Sequence, residues 1–238
     1  MNFGIIAAGE GSRLVSEGVA SPKPLVKLEG KPMIGRLIEI FVSMGAGRIC
    51  VIVNEQMTEV ADYLRSLAPT LPCPLELEIH TTPSSMHSFH YIGERLRNHG
   101  RFIVTTVDTI FRPEEFRKYV DAYENAPANV DGMMAVTRFV DDEKPLYVAE
   151  KEGRITAFLD TPREDAHFVS GGIYGLADKA VDVLDQCLHR GVSRMRNYQR
   201  ALIDAGLDIE AFDMGKIIDV DHADDIVVAD HFLSETND

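Results

Sequence analysis

Two short stretches near the N-terminus combine the residue types that bind phosphate. The first is Ala7-Ala8-Gly9-Glu10-Gly11-Ser12-Arg13-Leu14, which continues the apolar run that starts at Phe3. Gly9 and Gly11 let the backbone turn tightly and approach a ligand with no Cβ in the way. The N–H groups of such a loop, with Ser12 and Arg13 behind them, form a concavity suited to phosphate oxygens. The second stretch is Ser21-Pro22-Lys23-Pro24-Leu25-Val26. Its prolines restrict φ on either side of Lys23 and bias Pro22 and Lys23 toward extended backbone. A lysine on so stiff a segment loses little freedom when it meets an anion. The plain alternative for the glycines is an ordinary strand-to-helix turn. Two other phosphate motifs are excluded: no Gly-x-x-x-x-Gly-Lys-Ser/Thr occurs, and Leu14 stands where the dinucleotide fingerprint needs its third glycine.

Taken together, the two stretches resemble the signature of the nucleotidyltransferases that make nucleoside-diphosphate sugars. In that family Ala-Ala-Gly-x-Gly-x-Arg-Leu precedes Pro-Lys-Pro-Leu-Val, and every one of those positions matches here. The resemblance implies an enzyme that joins a nucleoside triphosphate to a phosphorylated small molecule, foremost a sugar 1-phosphate, and releases pyrophosphate. It implies Arg13, Lys23 and Asp108 as the catalytic set. Nucleotide contacts would come from the run Ala7 to Arg13, from Lys23 and Asn54, and from Ser84 and Ser85. Asp108, in Thr105-Thr106-Val107-Asp108-Thr109, sits where the family places an aspartate that binds Mg²⁺. Ile218-Asp219-Val220-Asp221, ahead of Asp224-Asp225-Ile226, resembles the segment that supplies the second metal ligand. Asp221 is the preferred ligand and Asp219 the alternative, with Asp224 and Asp225 as ordinary helix N-terminal acids.

Few side chains are needed for such chemistry. The acceptor is itself a phosphate or phosphonate, so its oxygen is already anionic and needs no general base. The obstacle is bringing two anions together while charge builds on pyrophosphate, and cations with well-placed donors meet it. Arg13 would take the β- and γ-phosphates, and Lys23 the α-phosphate and the acceptor's phosphate. Mg²⁺ prefers carboxylates plus phosphate oxygens and water, so two aspartates suffice.

The base and acceptor pockets depart from the family pattern. Ser84-Ser85-Met86-His87-Ser88 stands where many relatives carry a Gly-Thr-Ala-type turn, and its serines either meet a base or cap the next helix. Gly171-Gly172-Ile173-Tyr174 resembles the Gly-Ile-Tyr strand of sugar-using members, which nominates Gly172 and Tyr174 for the acceptor. Asp160-Thr161-Pro162 replaces their Glu-Lys-Pro, so the resemblance assigns Asp160 to the acceptor's hydroxyls in the glutamate's place, while the lysine that meets the acceptor's phosphate is lost. That departure leaves open a cytidylyltransferase acting on phosphocholine or a phosphonate, with Asp160 against an ammonium. A non-catalytic sensor of nucleotides or nucleotide sugars is the reading from another class.

These residues need a scaffold, and the hydrophobic periodicity supplies one. Phe3 to Ala8, Ile49 to Val53, Leu75 to Ile79 and Phe102 to Val107 read as strands separated by helical stretches. Strand and helix in alternation predict an α/β fold, a Rossmann-like and mostly parallel sheet with helices on both faces. In the second half, successive strands at 133–137, 146–150, 154–159 and 168–176 predict an antiparallel extension. The helices expected after them are 177–188, 193–205 and 223–233. The Gly9 loop, Asn54, Ser84 and Asp108 all follow strands, so they should line one crevice at the strands' C-terminal ends.

Composition fits one domain over residues 1–238, with no linker or fused second domain expected. Hydrophobic residues make up 45%, and the net charge is −14, which argues against a nucleic-acid backbone or an anionic membrane as partner. Cys50, Cys73 and Cys187 lack metal-ligand spacing and read as reduced, and no leader or long apolar run occurs, so a cytoplasmic location is expected. The histidines show no ligand spacing and receive no catalytic role.

Overall fold

The computed structural model describes residues 1–140 and 144–235. The first half alternates strand and helix: β1 (Asn2–Ala7), α1 (Ser12–Ser16), the tight ribbon β2 (Lys27–Leu28) and β3 (Lys31–Pro32), then α2 (Met33–Ser43). It continues through β4 (Arg48–Val53), α3 (Thr58–Leu67), β5 (Leu75–Ile79), α4 (Ser85–Leu96) and β6 (Phe102–Thr106). The second half holds β7 (Thr109–Ile110), α5 (Pro113–Glu124), β8 (Gly132–Thr137), β9 (Tyr147–Lys151), β10 (Arg154–Leu159) and β11 (Phe168–Leu176). It ends with α6 (Asp178–His189), α7 (Met195–Asp204), β12 (Ile209–Asp213), β13 (Ile218–Asp219) and α8 (Ala223–Ser234).

One sheet has the order β5-β4-β1-β6-β11-β8-β12-β10-β9. Its β5-to-β6 half is parallel, as the alternating pattern requires. β11 then runs antiparallel to both β6 and β8, and β9 pairs with both β10 and β11, so this end curls on itself. The extension is not purely antiparallel, because β12 lies parallel to β8. Ile209-Glu210-Ala211-Phe212-Asp213 is a strand that its short, acid-flanked pattern does not single out.

Side-chain alternation on β1 builds the two core layers. Phe3, Ile5 and Ala7 join the layer under α2, α3 and α5, while Ile6 and Ala8 join the layer under α4, α6 and α7. A third, smaller cluster lies under β7 and β13. Leu14 of α1, Val26 and Leu28, Met33, Ile110 of β7, Ile218 and Val220 around β13, and Ala229 and Phe232 of α8 pack together. Burying a side chain of this size contributes about 1.5–3 kcal/mol. The β7–β13 pair alone would be marginal, and this cluster holds it in place.

Candidate active site

Lys23 is the centre of the site, and the backbone around it differs from the extended form expected. Pro22 is extended (φ −52°, ψ 139°), but Lys23–Leu25 closes into one turn of 3-10 helix. The Leu25 N–H donates to the Pro22 carbonyl at 2.8 Å, which outweighs the pre-proline preference at Lys23. The turn carries the lysine inward, so that only 8% of its surface stays exposed. Gly11 lies against it with φ 61°, and a Cβ there would come within 2.9 Å of Lys23 Cβ. Gly9 needs neither property: its φ is not positive, and a Cβ would meet no atom within 4 Å.

A contrast follows from those two glycines. Gly11→Ala should destabilise the fold by about 1–2 kcal/mol, the cost of a left-handed residue with a side chain, and weaken nucleotide binding. Gly9→Ala should leave the melting temperature unchanged. Equal melting temperatures for Gly11→Ala and the wild type would mean the loop is not held against Lys23.

Asp108 and Asp221 converge on the lysine from separate parts of the chain. β13 pairs antiparallel with β7, matching Ile218 to Ile110 and Asp219 to Thr109. The Val220 N–H donates to the Asp108 carbonyl at 3.1 Å. Asp225 accepts from the N–H groups of Asp221 and His222 at 2.9 and 2.6 Å, and Glu17 accepts from the Ala223 N–H at 2.6 Å. These bonds seat the Asp221 carboxylate beside Asp108. Lys23 Nζ then lies 2.6 Å from Asp108 Oδ2 and 2.7 Å from Asp221 Oδ1, and Arg13 Nη1 lies 2.8 Å from Asp221 Oδ2. Burial alone would lower the Lys23 pKa, but the two carboxylates outweigh it and hold the ammonium above its ordinary value. Burial would raise Asp108, yet Lys23 beside it and a bond from Thr106 keep the carboxyl below its usual range. Both groups are therefore charged at neutral pH.

The crevice at the C-terminal ends of β1, β4 and β6 has two lobes. The first, of about 620 Å³, is lined by Ala8, Gly9, Glu10, Gly11, Ser12, Arg13, Lys23, Asn54, Ser84, Ser85, Asp108 and Asp221 from the sequence reading. Ala7 does not reach it, because strand alternation turns that side chain into the opposite core layer. Asn54 is 3% exposed and serves as a strut: its amide accepts from the Gln56 N–H and Thr81 hydroxyl and donates to the Ala8 carbonyl at 3.4 Å. The Ser84 hydroxyl does not cap α4 and lies 2.9 Å from His87 Nδ1 instead.

The second lobe, of about 380 Å³, meets the first at Ser85, Thr106, Asp108 and Asp221. Gly172, Tyr174 and Asp219 line it. A bulge in β11 between Ser170 and Tyr174 puts Gly172 at φ 72°, where a Cβ would come within 2.6 Å of the Thr109 hydroxyl. Thr109 also donates to Asp219 at 3.3 Å. Burial, with Asp219 and Asp108 nearby, pushes the Tyr174 phenol up, so it stays a neutral hydrogen-bonding group.

Asp160 does not line either lobe. Its carboxylate is held at 2.8 Å by Arg196 and at 2.7 Å by Arg200, and Arg196 is the residue that reaches the second lobe. Lys216 and Arg163 do not replace the missing lysine either: Lys216 lies over the Phe139 and Phe232 rings, and Arg163 pairs with Asp165. The cations of this lobe are Arg194 and Arg196, joined by Gln199 and Ser170, which bond each other at 3.0 Å. Arg194 adopts φ 74°, rare for a side-chain-bearing residue, and α7 starts only after it. A signal for these residues was present in the sequence. Residues 190–203 hold Arg190, Arg194, Arg196 and Arg200 and no acid, within a strongly acidic chain. Thr82, Ser88 and Thr106 in the first lobe carry no comparable mark.

Residues 4–171 match the family described as the MobA-like NTP transferase domain. The chain belongs to that family. Among curated relatives, the bifunctional protein GlmU of Methanococcus maripaludis is 25% identical over 97% of this chain and 54% of its own length. Mannose-1-phosphate guanyltransferase of Gibberella zeae is 26% identical over 71% of this chain and 48% of its own length. The chain thus spans about half the length of the curated relatives it matches. A solved structure described as the inositol-1-phosphate CTP transferase from T. maritima superposes with a TM-score of 0.78 at 15% identity, covering 98% of both chains. That likeness shows the family's Rossmann-like fold. Family membership makes an NTP-handling transferase the frame for the crevice.

Two hard carboxylates meeting on one cation beside an open lobe are a donor set that suits a divalent metal with phosphate and water oxygens. Among the described residues, one other group gathers metal-ligand side chains: His90, Glu94 and Asp185, within 4.8 Å of one another. It lies on α4 and α6 outside the crevice, and Arg97 already pairs with both acids. The described residues include no helix long and apolar enough to cross a membrane.

Proposed function

We propose that the chain is a Mg²⁺-dependent nucleotidyltransferase. It would move a nucleotidyl group from a nucleoside triphosphate to a phosphorylated small molecule, most naturally a sugar 1-phosphate, and release pyrophosphate. The observation that carries this reading is the meeting of two lobes at Asp108 and Asp221, the two carboxylates that hold Lys23. The glycine-loop lobe suits a triphosphate, and the arginine- and tyrosine-lined lobe suits a phosphorylated acceptor. Asp108 and Asp221 would hold the metal, with Asp219 turned to Thr109 and the second lobe. When bound, Mg²⁺ would offset charge on the α-phosphate and the departing pyrophosphate.

The chain's own groups then have distinct tasks. Arg13 and the loop N–H groups orient the β- and γ-phosphates. Lys23, held in the first lobe by the two junction carboxylates, would lie close to both the α-phosphate and the incoming acceptor phosphate, and so reduce the repulsion between them. No side chain has to remove a proton from the acceptor. Gly172 leaves room beside Thr106 and Thr109, and Tyr174 and Gln199 offer neutral hydrogen bonds to hydroxyls. Asp160 is unavailable to an ammonium while two arginines hold it, which weighs against a phosphocholine-like acceptor.

Pyrophosphate release over a grid of nucleoside triphosphates and phosphorylated acceptors tests the reading. Turnover with at least one sugar 1-phosphate is expected. Nucleotide binding without release in any combination would favour a sensor. Arg194→Gln should raise KM for the acceptor roughly 10-fold with little change in kcat, the loss of one charged hydrogen bond. Asp160→Ala should act in the same direction but less, by loosening Arg196. An unchanged acceptor KM in both variants would place the acceptor elsewhere.

A further inference from the structure

We infer that Lys23 is a placeholder for the metal. Its ammonium keeps the two aspartates together until nucleotide phosphates take it over, so a free divalent cation binds poorly and enters with the nucleotide. The inference rests on the nucleotidyl-transfer reading, which assigns the metal to Asp108 and Asp221.

The geometry makes lysine and metal competitors for the same oxygens. Lys23 Nζ takes one oxygen from Asp108 at 2.6 Å and one from Asp221 at 2.7 Å, while Arg13 holds the remaining Asp221 oxygen at 2.8 Å. Two cations and two carboxylates leave this cluster neutral, so it attracts a free divalent ion far less than two bare carboxylates would. Lys23 also cannot simply swing away into water. It is buried, lies on a 3-10 turn between prolines, and has Gly11 packed on its stem. An ammonium in that place without a counter-ion would cost far more than a surface charge.

A triphosphate in the first lobe changes the balance. Its oxygens can receive Lys23 and Arg13 together, which frees the carboxylates, and they add the ligands that a hard cation wants beyond two aspartates. Each partner then favours the other's binding, and that coupling is reciprocal. Without nucleotide, the lysine serves a second end. Asp108 follows β6 and Asp221 follows β13, and without Lys23 their like charges would push these segments apart.

The test measures Mn²⁺ binding without nucleotide, by the electron paramagnetic resonance signal of the free ion. The proteins are the wild type, Lys23→Met, Lys23→Gln, Lys23→Arg, Asp108→Asn, and Lys23→Met combined with Asp108→Asn. Lys23→Met and Lys23→Gln should bind Mn²⁺ at least about 10-fold more tightly than the wild type. Lys23→Arg, which keeps a cation between the aspartates, should stay weak, and adding Asp108→Asn should abolish the gain. Thermal melts give a second readout. The uncharged variants should melt lower than the wild type without metal and gain more on adding Mn²⁺. If one of them folds only with Mn²⁺, that dependence is itself the expected result. Equal Mn²⁺ affinity in the wild type and both uncharged variants overturns the placeholder. If that shared binding is lost in Asp108→Asn, the metal assignment still stands. If Asp108→Asn changes no binding in any background, the metal assignment falls as well.

Discussion

Asp108→Asn is expected to lower kcat by roughly 10²-fold or more, the scale of losing several kcal/mol of charge stabilisation. EDTA should abolish turnover in the wild type, and Mg²⁺ should restore it. The substitution is nearly isosteric, so its effect on folding should be small beside its effect on chemistry. It removes half of the charge that gathers on Lys23, together with one of the two carboxylates placed to hold the metal. The carboxyl lies below its usual range in the folded protein, so it is ionised throughout the neutral range, and the loss should not vary with pH there. The ion pair's contribution to stability is present above the ordinary carboxylate pKa of about 3.9 and is lost as pH falls through the lowered folded value. Near-normal turnover in Asp108→Asn, with Mg²⁺ saturating, would sink the metal assignment.

How far the sequence reaches depends on which interactions position a residue. Local rules served for the parallel half: β1, β4 and β6 are apolar runs and β5 alternates leucine or isoleucine with glutamate, all between helical stretches, the pattern of a parallel sheet with helices on both faces. The glycine loop, Asn54, Ser84 and Asp108 follow those strands, so their shared crevice is legible too. Local rules failed where long-range pairing decides. β12 is parallel to β8 only because α6 and α7 carry the chain back across the sheet, and no periodicity in Ile209–Asp213 announces that. Lys23 turned inward through a hydrogen bond made by Pro22, against its pre-proline bias. Its place before the Gly-Ile-Tyr strand points Asp160 at the acceptor, but Arg196 and Arg200 of α7 claim its carboxylate from more than thirty residues away. The arginines that do reach the second lobe come from that same helix region. Their clustering is visible in the sequence, but its meaning depends on where α7 packs.

Lys23→Ala is expected to lower kcat/KM by roughly 10²-fold or more for both substrates, whereas Arg13→Ala should raise KM mainly for the nucleotide. Position explains the difference. Lys23 is buried in the first lobe against the two aspartates at which the lobes meet, so its charge lies close to both phosphates as they approach and matters most when they are closest. Arg13 is half-exposed at the outer end of the first lobe and touches only the Asp221 side of the cluster. An arginine so placed can hold the nucleotide's terminal phosphates in the ground state and the transition state alike, which changes KM more than kcat. Lys23→Ala also leaves Asp108 and Asp221 facing each other, so part of its effect is electrostatic repulsion. Lys23→Arg separates the two contributions. It keeps the positive charge, but it spreads that charge over a planar fork on a longer stem. It should therefore hold the aspartates together yet fail to restore the rate, because the charge is misplaced for the transferred phosphate. Steady-state kinetics with each substrate varied in turn decides the matter. Small and equal effects from Lys23→Ala and Arg13→Ala on both substrates would mean that the loop and the Pro-Lys-Pro turn serve some task other than phosphate transfer.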